Sequence, residues 1–530
     1  GGEKRTPPFG VCIALQNSTV PLVTSARHDG LLRQQANRGG GAVDHRWTEP
    51  NAPNREAFES GELLHEPPQF VHFDPVKNEA RPLLIKEIKL PRATQTHEVC
   101  YEPSTRCVFV SQMSNSTLVR IPVDERGVLV DDQDAWRMGE CDAATGAGIS
   151  GLHNISPSKA HPGCLWMTLQ YANELLLVDV RGEHPLRIRQ VLKVPTLCTD
   201  PATGETQRVG GPHCMRECPI SGELWVGLKG SLKDTPCRSR GRGGRSSCCD
   251  PDANETNMAE LARRGHDTPL PDGWAVWRVA PSEYDPSAKG GQGKGGRLYP
   301  CLTSPPMLDF DSLGNVYVPQ DGVDTVLYID RESGESKQLT VPFPASGATP
   351  RITGPAIATA PDGSVWMTLL GSYNSLVRID PRRGHTRELY AFGGPPWCKT
   401  IRLIHLAFGS GGRGNFIYAL ASDLLEDEAV DAVVVLRMDE SWARCLGRRV
   451  IPLPTQDCSC HRIAVVDAGP NLAGGGRSIV ITELASSKLL QVELRHLVDF
   501  QPLDESVSTD ADGFVVHSYT TGESEAGHNC

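Results

Sequence analysis

The sequence lacks any long run of apolar residues. Short runs such as Ala432–Leu436 fall far below the roughly 18 apolar residues that a membrane-spanning helix needs. We therefore predict no membrane span. Apolar residues still make up 39% of the 530 residues and charged residues 22%, a balance that is compatible with a packed core and unlike that of a disordered chain.

The sequence also lacks an excess of positive charge. It contains 53 Lys and Arg against 64 Asp and Glu, so its formal net charge is −11. Nucleic-acid binding requires a basic surface that contacts phosphates. The composition therefore predicts no nucleic-acid partner.

The 17 cysteines lack the paired two-residue spacing of a zinc ribbon, as Cys248-Cys249 and Cys458-Ser459-Cys460 illustrate. Cys100 and Cys107 flank a turn-like segment, so we expect that they could face each other across a hairpin. So many cysteines favour disulfide bonds and an oxidising compartment. Their odd number leaves at least one thiol free or paired between chains.

Two further observations favour an exported, extracellular glycoprotein. Four sequences match the acceptor pattern for N-glycosylation, and they begin at Asn17, Asn115, Asn154 and Asn254. The chain begins with Gly1-Gly2, without an initiator Met or an apolar leader segment. We expect a processed secretory chain that acts as a monomer.

A pattern of short strands recurs through most of the chain, with a period of about 50 residues. Each unit contains an alternating inner strand, a second strand that often carries an aromatic residue, and a third strand ending in Asp. The seven inner strands begin near His97, His153, His213, Met307, Ala356, His405 and His461. This repetition predicts an all-β fold, a seven-bladed β-propeller. Trp166, Trp225 and Trp366 fit packing between blades better than sugar stacking.

The repeats divide the chain into a propeller over residues 67–520, an N-terminal extension over 1–66 and a C-terminal tail over 521–530. The longest step contains a Cys/Arg-rich insertion at about 229–272, which suits a solvated loop or a contact with phosphate or anionic glycan. Leu84–Pro91 has the pattern of an outer strand without an inner strand before it. We predict that it completes the last blade and closes the ring, with Phe70–Asp74 as an extra strand.

Histidine is scarce, yet five of the 16 histidines stand at the start of an inner strand. In a propeller these positions lie near one mouth of the central channel. Clustered imidazoles can act as general acids or bases, or bind a divalent metal. We therefore take the five as candidate catalytic residues: His97, His153, His213, His405 and His461.

The unit Gly354–Thr368, followed by Asn374–Asp380, resembles a repeat of the virginiamycin B lyase family, and Ile481–Lys488 is similar to another motif of that family. The resemblance implies a seven-bladed carbon–oxygen lyase that opens a lactone by elimination. It also implies Mg²⁺ near a histidine acid–base pair, and the matching positions are His405 and His461. For a divalent cation, Mg²⁺ or Ca²⁺, the candidate ligands are His405, His461 and Glu483. The chain departs from the family at Ser459 and Cys460, where the family has an acidic residue and Pro.

Similar propellers include lyases that cut rhamnose–glucuronate linkages, which implies a rim histidine as base and an arginine that neutralises the uronate carboxylate. The candidate arginines are Arg351, Arg402 and Arg462, and Tyr171 is the candidate proton donor to the leaving oxygen. We therefore predict a secreted lyase acting on an acidic carbohydrate or a small molecule. The alternative is a non-catalytic propeller that binds a protein or a cell-wall partner.

Overall fold

Seven sheets of four or more strands make up most of the described part of the chain in this computed structural model, and their strands pair antiparallel except for one parallel pair, Thr386–Phe392 with Val515–Thr520. The described residues are 63–65 and 84–520, without 94, 131, 139–149, 183–185, 200–202, 230–272, 286–294, 344–355, 370–374, 393–400, 412–413, 423, 425–429, 468–476, 495–496 and 498–499. The predicted seven-bladed β-propeller is confirmed. Most of the predicted insertion, the segment Phe70–Asp74 and the tail 521–530 lie outside the described residues.

The first four blades each have four strands, which follow one another from the channel outward. Blade 1 contains Thr96–Glu102, Cys107–Gln112, Thr117–Pro122 and Asp134–Arg137. Blade 2 contains Leu152–Pro157, Cys164–Leu169, Glu174–Asp179 and Arg187–Lys193. Blade 3 contains Pro212–Glu217, Leu224–Leu228, Ala275–Val279 and Gly296–Pro300. Blade 4 contains Asp309–Phe310, Val316–Pro319, Thr325–Ile329 and Ser336–Thr340.

The last three blades carry additional strands at their outer edges. Blade 5 contains Ile357–Thr359, Val365–Thr368, Ser375–Asp380 and Thr386–Phe392, then Val515–Thr520 and Asp504–Thr509. Blade 6 contains Leu403–Gly411, Gly414–Ala421, Ala432–Met438 and Cys445–Pro452, then Gln501–Pro502. Blade 7 contains Cys460–Asp467, Arg477–Glu483, Lys488–Glu493 and Leu84–Lys89, then Leu63–His65.

Smaller elements connect or extend the blades. The strands Leu197–Thr199 and Thr206–Arg208 form a separate hairpin, and two 3₁₀ turns span Met113–Asn115 and Pro381–Arg383. No helix in the described part of the chain has the length and apolar character needed to cross a membrane.

The ring closes as the sequence predicted. Leu84–Lys89 pairs antiparallel with Lys488–Glu493, so the outer strand of blade 7 comes from the opposite end of the chain. Leu63–His65, which falls within the predicted extension, pairs with this strand and lengthens the blade. Ile85 and Ile88 on the closing strand are each 1% exposed and pack into the apolar contacts of blade 7 with its neighbours.

We expect Ile88→Ala to lower the free energy of unfolding by about 2–5 kcal/mol, because the substitution leaves a cavity at the closing strand. Urea unfolding followed by tryptophan fluorescence measures the change. The control is Lys89→Ala on the same strand, where the side chain is exposed and the expected change is below about 0.5 kcal/mol. Equal small effects in both variants would show that this strand does not hold the ring together.

Apolar contacts between adjacent blades form the core. The second strands are buried on both faces, which explains their nearly continuous apolar sequence, as in Cys164–Leu169. The predicted packing role of the repeated tryptophans is confirmed, since Trp166, Trp225 and Trp366 are at most 2% exposed.

Two expectations, disulfide bonds and an N-linked glycan at Asn154, differ from the structure. None of the ten described cysteines forms a disulfide bond. The hairpin register pairs Cys107 with Glu102 and Cys100 with Phe109, so the two thiols do not stand opposite each other.

Asn154 is 1% exposed and its side-chain amide donates to Glu98, so this acceptor sequence has no room for a glycan. Asn17 and Asn254 lie outside the described residues.

Candidate functional site

Four of the five inner-strand histidines form a continuous row in the channel, with neighbouring rings in tilted or edge-to-face contact. In spatial order they are His461 of blade 7, His97 of blade 1, His153 of blade 2 and His213 of blade 3. Their ring centroids are separated by 4.2, 3.7 and 3.8 Å along this order. We call these four residues the histidine ladder. The fifth, His405 of blade 6, contributes to a cavity next to it.

Bulges in the inner strands explain why these rings turn into the channel. The pairing register shifts at or beside the histidine in all five histidine-bearing inner strands. In blade 1, for example, His97 and Glu98 together stand opposite Ser111. A bulge places two residues against one and redirects their side chains. Simple alternation along the strand therefore does not predict which residues face the channel.

Hydroxyl groups on the second strands stabilise three of these bulges. Ser111, Thr168 and Thr482 each accept a hydrogen bond from the backbone N–H that follows a histidine in their own blade, at 3.0, 2.8 and 3.1 Å. Each hydroxyl also donates to a histidine carbonyl of the next blade: those of His153, His213 and His97, respectively. The sequence signal for this role is a hydroxyl residue at a repeated place in the second strand.

Hydrogen bonds define the protonation of the ladder. The carbonyl oxygen of Pro306 lies 2.9 Å from His213 Nδ1, which must therefore donate, and His213 Nε2 accepts from Lys229 Nζ at 3.4 Å. His97 and His461 face each other through their Nε2 atoms at 2.9 Å. Burial lowers the pKa of every ladder histidine well below the ordinary value, and neighbouring imidazoles, Arg462 or Lys229 lower it further. The rings are therefore neutral at neutral pH.

The ladder does not form an open rim. Its members are 0–4% exposed, whereas the sequence predicted histidines near a channel mouth. The bulges direct the rings across the channel, so each ring covers its neighbour. A glycan has no direct access to these imidazoles.

A buried ion pair lies against the ladder. Arg462 Nε is 3.4 Å from Glu98 Oε2, and Arg462 also donates to the carbonyl of His461 and to the sulfur of Met307. Asn154 Nδ2 donates to the same Glu98 oxygen at 2.8 Å. These contacts join blades 7, 1, 2 and 4. Of the candidate arginines, Arg462 is therefore placed beside the histidines, with its guanidinium engaged by protein groups.

All seven inner strands line a cavity of about 360 Å³ next to this ion pair. Its part-exposed ionisable side chains are Tyr101, Arg216 and Asp309, and His405 also faces it. The partial exposure of residues on several inner strands shows that this end of the channel is open to solvent. The sequence interpretation missed Arg216 and Asp309, although a charge within an otherwise apolar inner strand was a usable signal.

The cavity groups have distinct proton chemistry. His405 Nδ1 accepts from the backbone N–H of Ile463 at 3.4 Å, and burial, Arg462 and Arg216 lower its pKa well below the ordinary value. A neutral His405 therefore carries its proton on Nε2. Burial raises the pKa of Asp309, although Arg216 and the N–H of Thr359, 2.8 Å from Asp309 Oδ2, oppose this rise. Burial also raises the pKa of Tyr101, which keeps its hydroxyl protonated.

The remaining candidates are not gathered at this cavity. The ring of Tyr171 packs over Gly151 and is not among the cavity-lining residues. Arg402 is buried and donates to the carbonyl of Ile401, and Arg351 lies outside the described residues.

The candidate metal ligands do not form a metal site in the described part of the chain. Glu483 interacts with Ser486, Glu87 and Lys488 at the closing strand, and burial followed by the charge of Glu87 raises its pKa well above the ordinary value. In the described part of the chain, no group of three or more His, Cys, Asp or Glu residues could hold a metal ion. His405, His461 and Glu483 therefore do not form one site.

Comparison with known proteins finds similarity at the level of the fold. No protein-family model matches the chain, and no curated protein matches it. A catalytically inactive histidine-to-alanine variant of virginiamycin B lyase from Staphylococcus aureus with quinupristin is 14% identical, with a TM-score of 0.47 over 78% of this chain and 99% of that chain. A streptogramin B lyase structure is 12% identical, with a TM-score of 0.45 over 77% and 97% of the two chains. The structure of U3-55K is 9% identical, with a TM-score of 0.46 over 77% and 98%.

Proposed function

We propose that the protein is a carbon–oxygen lyase that cleaves a uronate-containing glycan by β-elimination in the channel cavity. One observation carries the proposal: the cavity brings together a carboxyl group with a raised pKa, a guanidinium and an imidazole N–H. These are the groups that elimination beside a carboxylate requires, since the proton to be removed is only weakly acidic.

In the proposed reaction, Asp309 is the base. Its raised pKa makes its carboxylate a stronger proton acceptor than an ordinary Asp. Arg216 pairs with the uronate carboxylate, and the Nε2–H of His405 donates a second hydrogen bond to it. Both interactions strengthen as charge builds up on the carboxylate oxygens in the enolate.

The leaving oxygen requires a proton, which the Tyr101 hydroxyl supplies. The C–H bond beside the carboxylate breaks, its electron pair forms the new C=C bond, and the C–O bond to the leaving sugar breaks. The proton from carbon goes to Asp309, and the Tyr101 proton goes to the leaving oxygen. Solvent in the open end of the cavity then returns Asp309 and Tyr101 to their starting states.

These assignments change the roles expected from the sequence. The ladder histidines are too buried to reach a glycan, and Arg462 already contacts Glu98. His405 therefore acts as a hydrogen-bond donor and not as the base, and Arg216 takes the role expected of Arg351, Arg402 or Arg462. The acidic substrate also agrees with the expected extracellular location, which we retain as part of the proposal.

A second candidate function is binding to a protein partner through the open face of the propeller. Ile220 and Leu313 are 56% and 66% exposed on neighbouring turns of blades 3 and 4. These turns abut each other, because a Cβ on Gly314 would lie 3.1 Å from Cys218 Sγ. An exposed apolar pair on neighbouring blades suits a protein contact without catalysis.

The test is incubation of the purified protein with a panel of uronate-containing polysaccharides, with and without added Mg²⁺, Ca²⁺ or a chelator. Neutral glycans are the control. The proposal predicts new ultraviolet absorbance from an unsaturated uronate with at least one acidic glycan. Absence of this product across the panel, together with saturable protein binding that Leu313→Ser weakens, would favour the second function instead.

A further inference from the structure

The histidine ladder joins the two blades at which the propeller closes. His461 belongs to blade 7, whose outer strand is N-terminal, and His97 belongs to blade 1. Besides their 2.9 Å Nε2–Nε2 contact, Thr482 of blade 7 donates to the carbonyl of His97 at 2.7 Å. The two imidazoles therefore form the polar part of a contact that also includes apolar side chains such as Val99 and Val466.

The Nε2–Nε2 hydrogen bond requires at least one neutral ring, because one Nε2 atom must be free to accept. One of the two Nε2 atoms carries the shared proton and the other accepts it. If both rings become cationic, both Nε2 atoms carry protons, and the hydrogen bond is replaced by repulsion between like charges. The Nδ1 atoms of His97 and His461 are buried and make no hydrogen bond with protein groups, so no carbonyl compensates a proton added to either atom.

The groups around the ladder add to this repulsion. Blade 7 contributes Arg462, blade 3 contributes His213 and Lys229, blade 2 contributes His153, and blade 6 contributes His405. Two cationic side chains, Arg462 of blade 7 and Lys229 of blade 3, therefore lie near the ladder. Within the described residues, Glu98 is the carboxylate that faces this layer, and it already binds Arg462 and Asn154.

We propose that the histidine ladder is an acid-sensitive closure of the propeller: it holds the inner strands of blades 7 and 1 together while its rings are neutral and releases them in mild acid. This role is independent of the proposed lyase reaction, because it requires no substrate. Release would also open the end of the channel that the ladder fills.

The size of the effect follows from proton linkage. A released imidazole recovers the ordinary pKa of 6.5. At about pH 5.5 each released imidazole therefore favours the open state by about tenfold relative to about pH 7.5. Release of His97 and His461 together favours opening by about 100-fold.

Hydrogen–deuterium exchange read by mass spectrometry tests this closure on the whole protein at about pH 7.5 and about pH 5.5, after correction for the intrinsic pH dependence of amide exchange. We expect local opening of Thr96–Glu102 and Cys460–Asp467 to rise by about 100-fold in acid, and at about pH 5.5 these strands should exchange faster than Thr325–Ile329 in blade 4, which we expect to open only when the whole protein unfolds.

The decisive variant is His97→Gln/His461→Gln, in which amides replace the titratable rings. It should reduce the acid response at the two inner strands to less than about tenfold, and His461→Gln alone should leave about tenfold. The matched control is His161→Gln, an exposed histidine on the first turn of blade 2, which should respond as the unmodified protein does. Equal exchange at both pH values in the unmodified protein, or a full response in the folded double or single variant, would overturn the proposal.

Discussion

Asp309→Asn should lower the rate of glycan elimination by about 10²–10⁴-fold, the usual contribution of a positioned general base. The amide has nearly the shape of the carboxylate and keeps an oxygen for the N–H of Thr359. It cannot accept the proton from the carbon beside the uronate carboxylate. The initial rate of unsaturated-product formation measures the loss, and urea unfolding should show little change in stability.

The matched control for this prediction is Ser156→Ala, which alters the lining of the same cavity but has no proposed chemical role. We expect it to retain nearly the full rate. The rate of the unmodified protein should also fall as the pH decreases through the raised pKa of Asp309, because the protonated carboxyl cannot act as a base. If Asp309→Asn kept the full rate, another group would have to remove the proton from the carbon beside the uronate carboxylate.

Mild acid should destabilise the whole protein steeply. All five inner-strand histidines have a pKa well below 6.5 in the folded protein, with burial as the largest cause. The unfolded chain binds these protons first, so the stability they contribute is complete above pH 6.5 and is lost as the pH falls below it. Each histidine contributes a slope of about 1.4 kcal/mol per pH unit, and five together about 7 kcal/mol.

Urea unfolding between about pH 8 and about pH 5 measures this slope. Glu483 and Asp309 oppose it, because their raised pKa values mean that stability is lost as the pH rises above the ordinary range of a carboxyl group. Two groups therefore oppose five. His405→Gln should reduce the slope by about 1.4 kcal/mol per pH unit, whereas His161→Gln, which replaces an exposed ring, should not. A stability that stays constant down to about pH 5 would contradict the neutral, buried state of the five rings.

The repeated pattern in the sequence was sufficient to predict the blades. Inner strands begin within about two residues of positions such as His97 and His461, because each blade must bury the same apolar faces against its neighbours. The closing strand Leu84–Lys89 was also predictable, since an outer-strand pattern without an inner strand can pair only with an incomplete blade. The attachment of Val515–Thr520 to blade 5 was not, because an added edge strand leaves no mark on the repeat.

The candidate site was less predictable because it depends on bulges and register. The scarcity of histidine identified the right positions in the chain, but the bulges determine that four rings fill the channel and one faces a cavity. Arg216 and Asp309 each occur once, so a search for repeated residues passes over them. Likewise, the spacing of Cys100 and Cys107 is compatible with a pair that faces across a hairpin. The register of the two strands instead places Cys100 opposite Phe109 and Cys107 opposite Glu102.

The most direct test of the proposed chemistry is mass spectrometry of the products formed from a uronate-containing oligosaccharide. Elimination predicts two fragments whose combined mass equals that of the substrate, one of them with an unsaturated uronate at its new end, and both should form at least about 10²-fold more slowly with Asp309→Asn. Fragments that have gained one water molecule would show hydrolysis instead. That outcome, or recovery of the intact oligosaccharide, would contradict the lyase proposal.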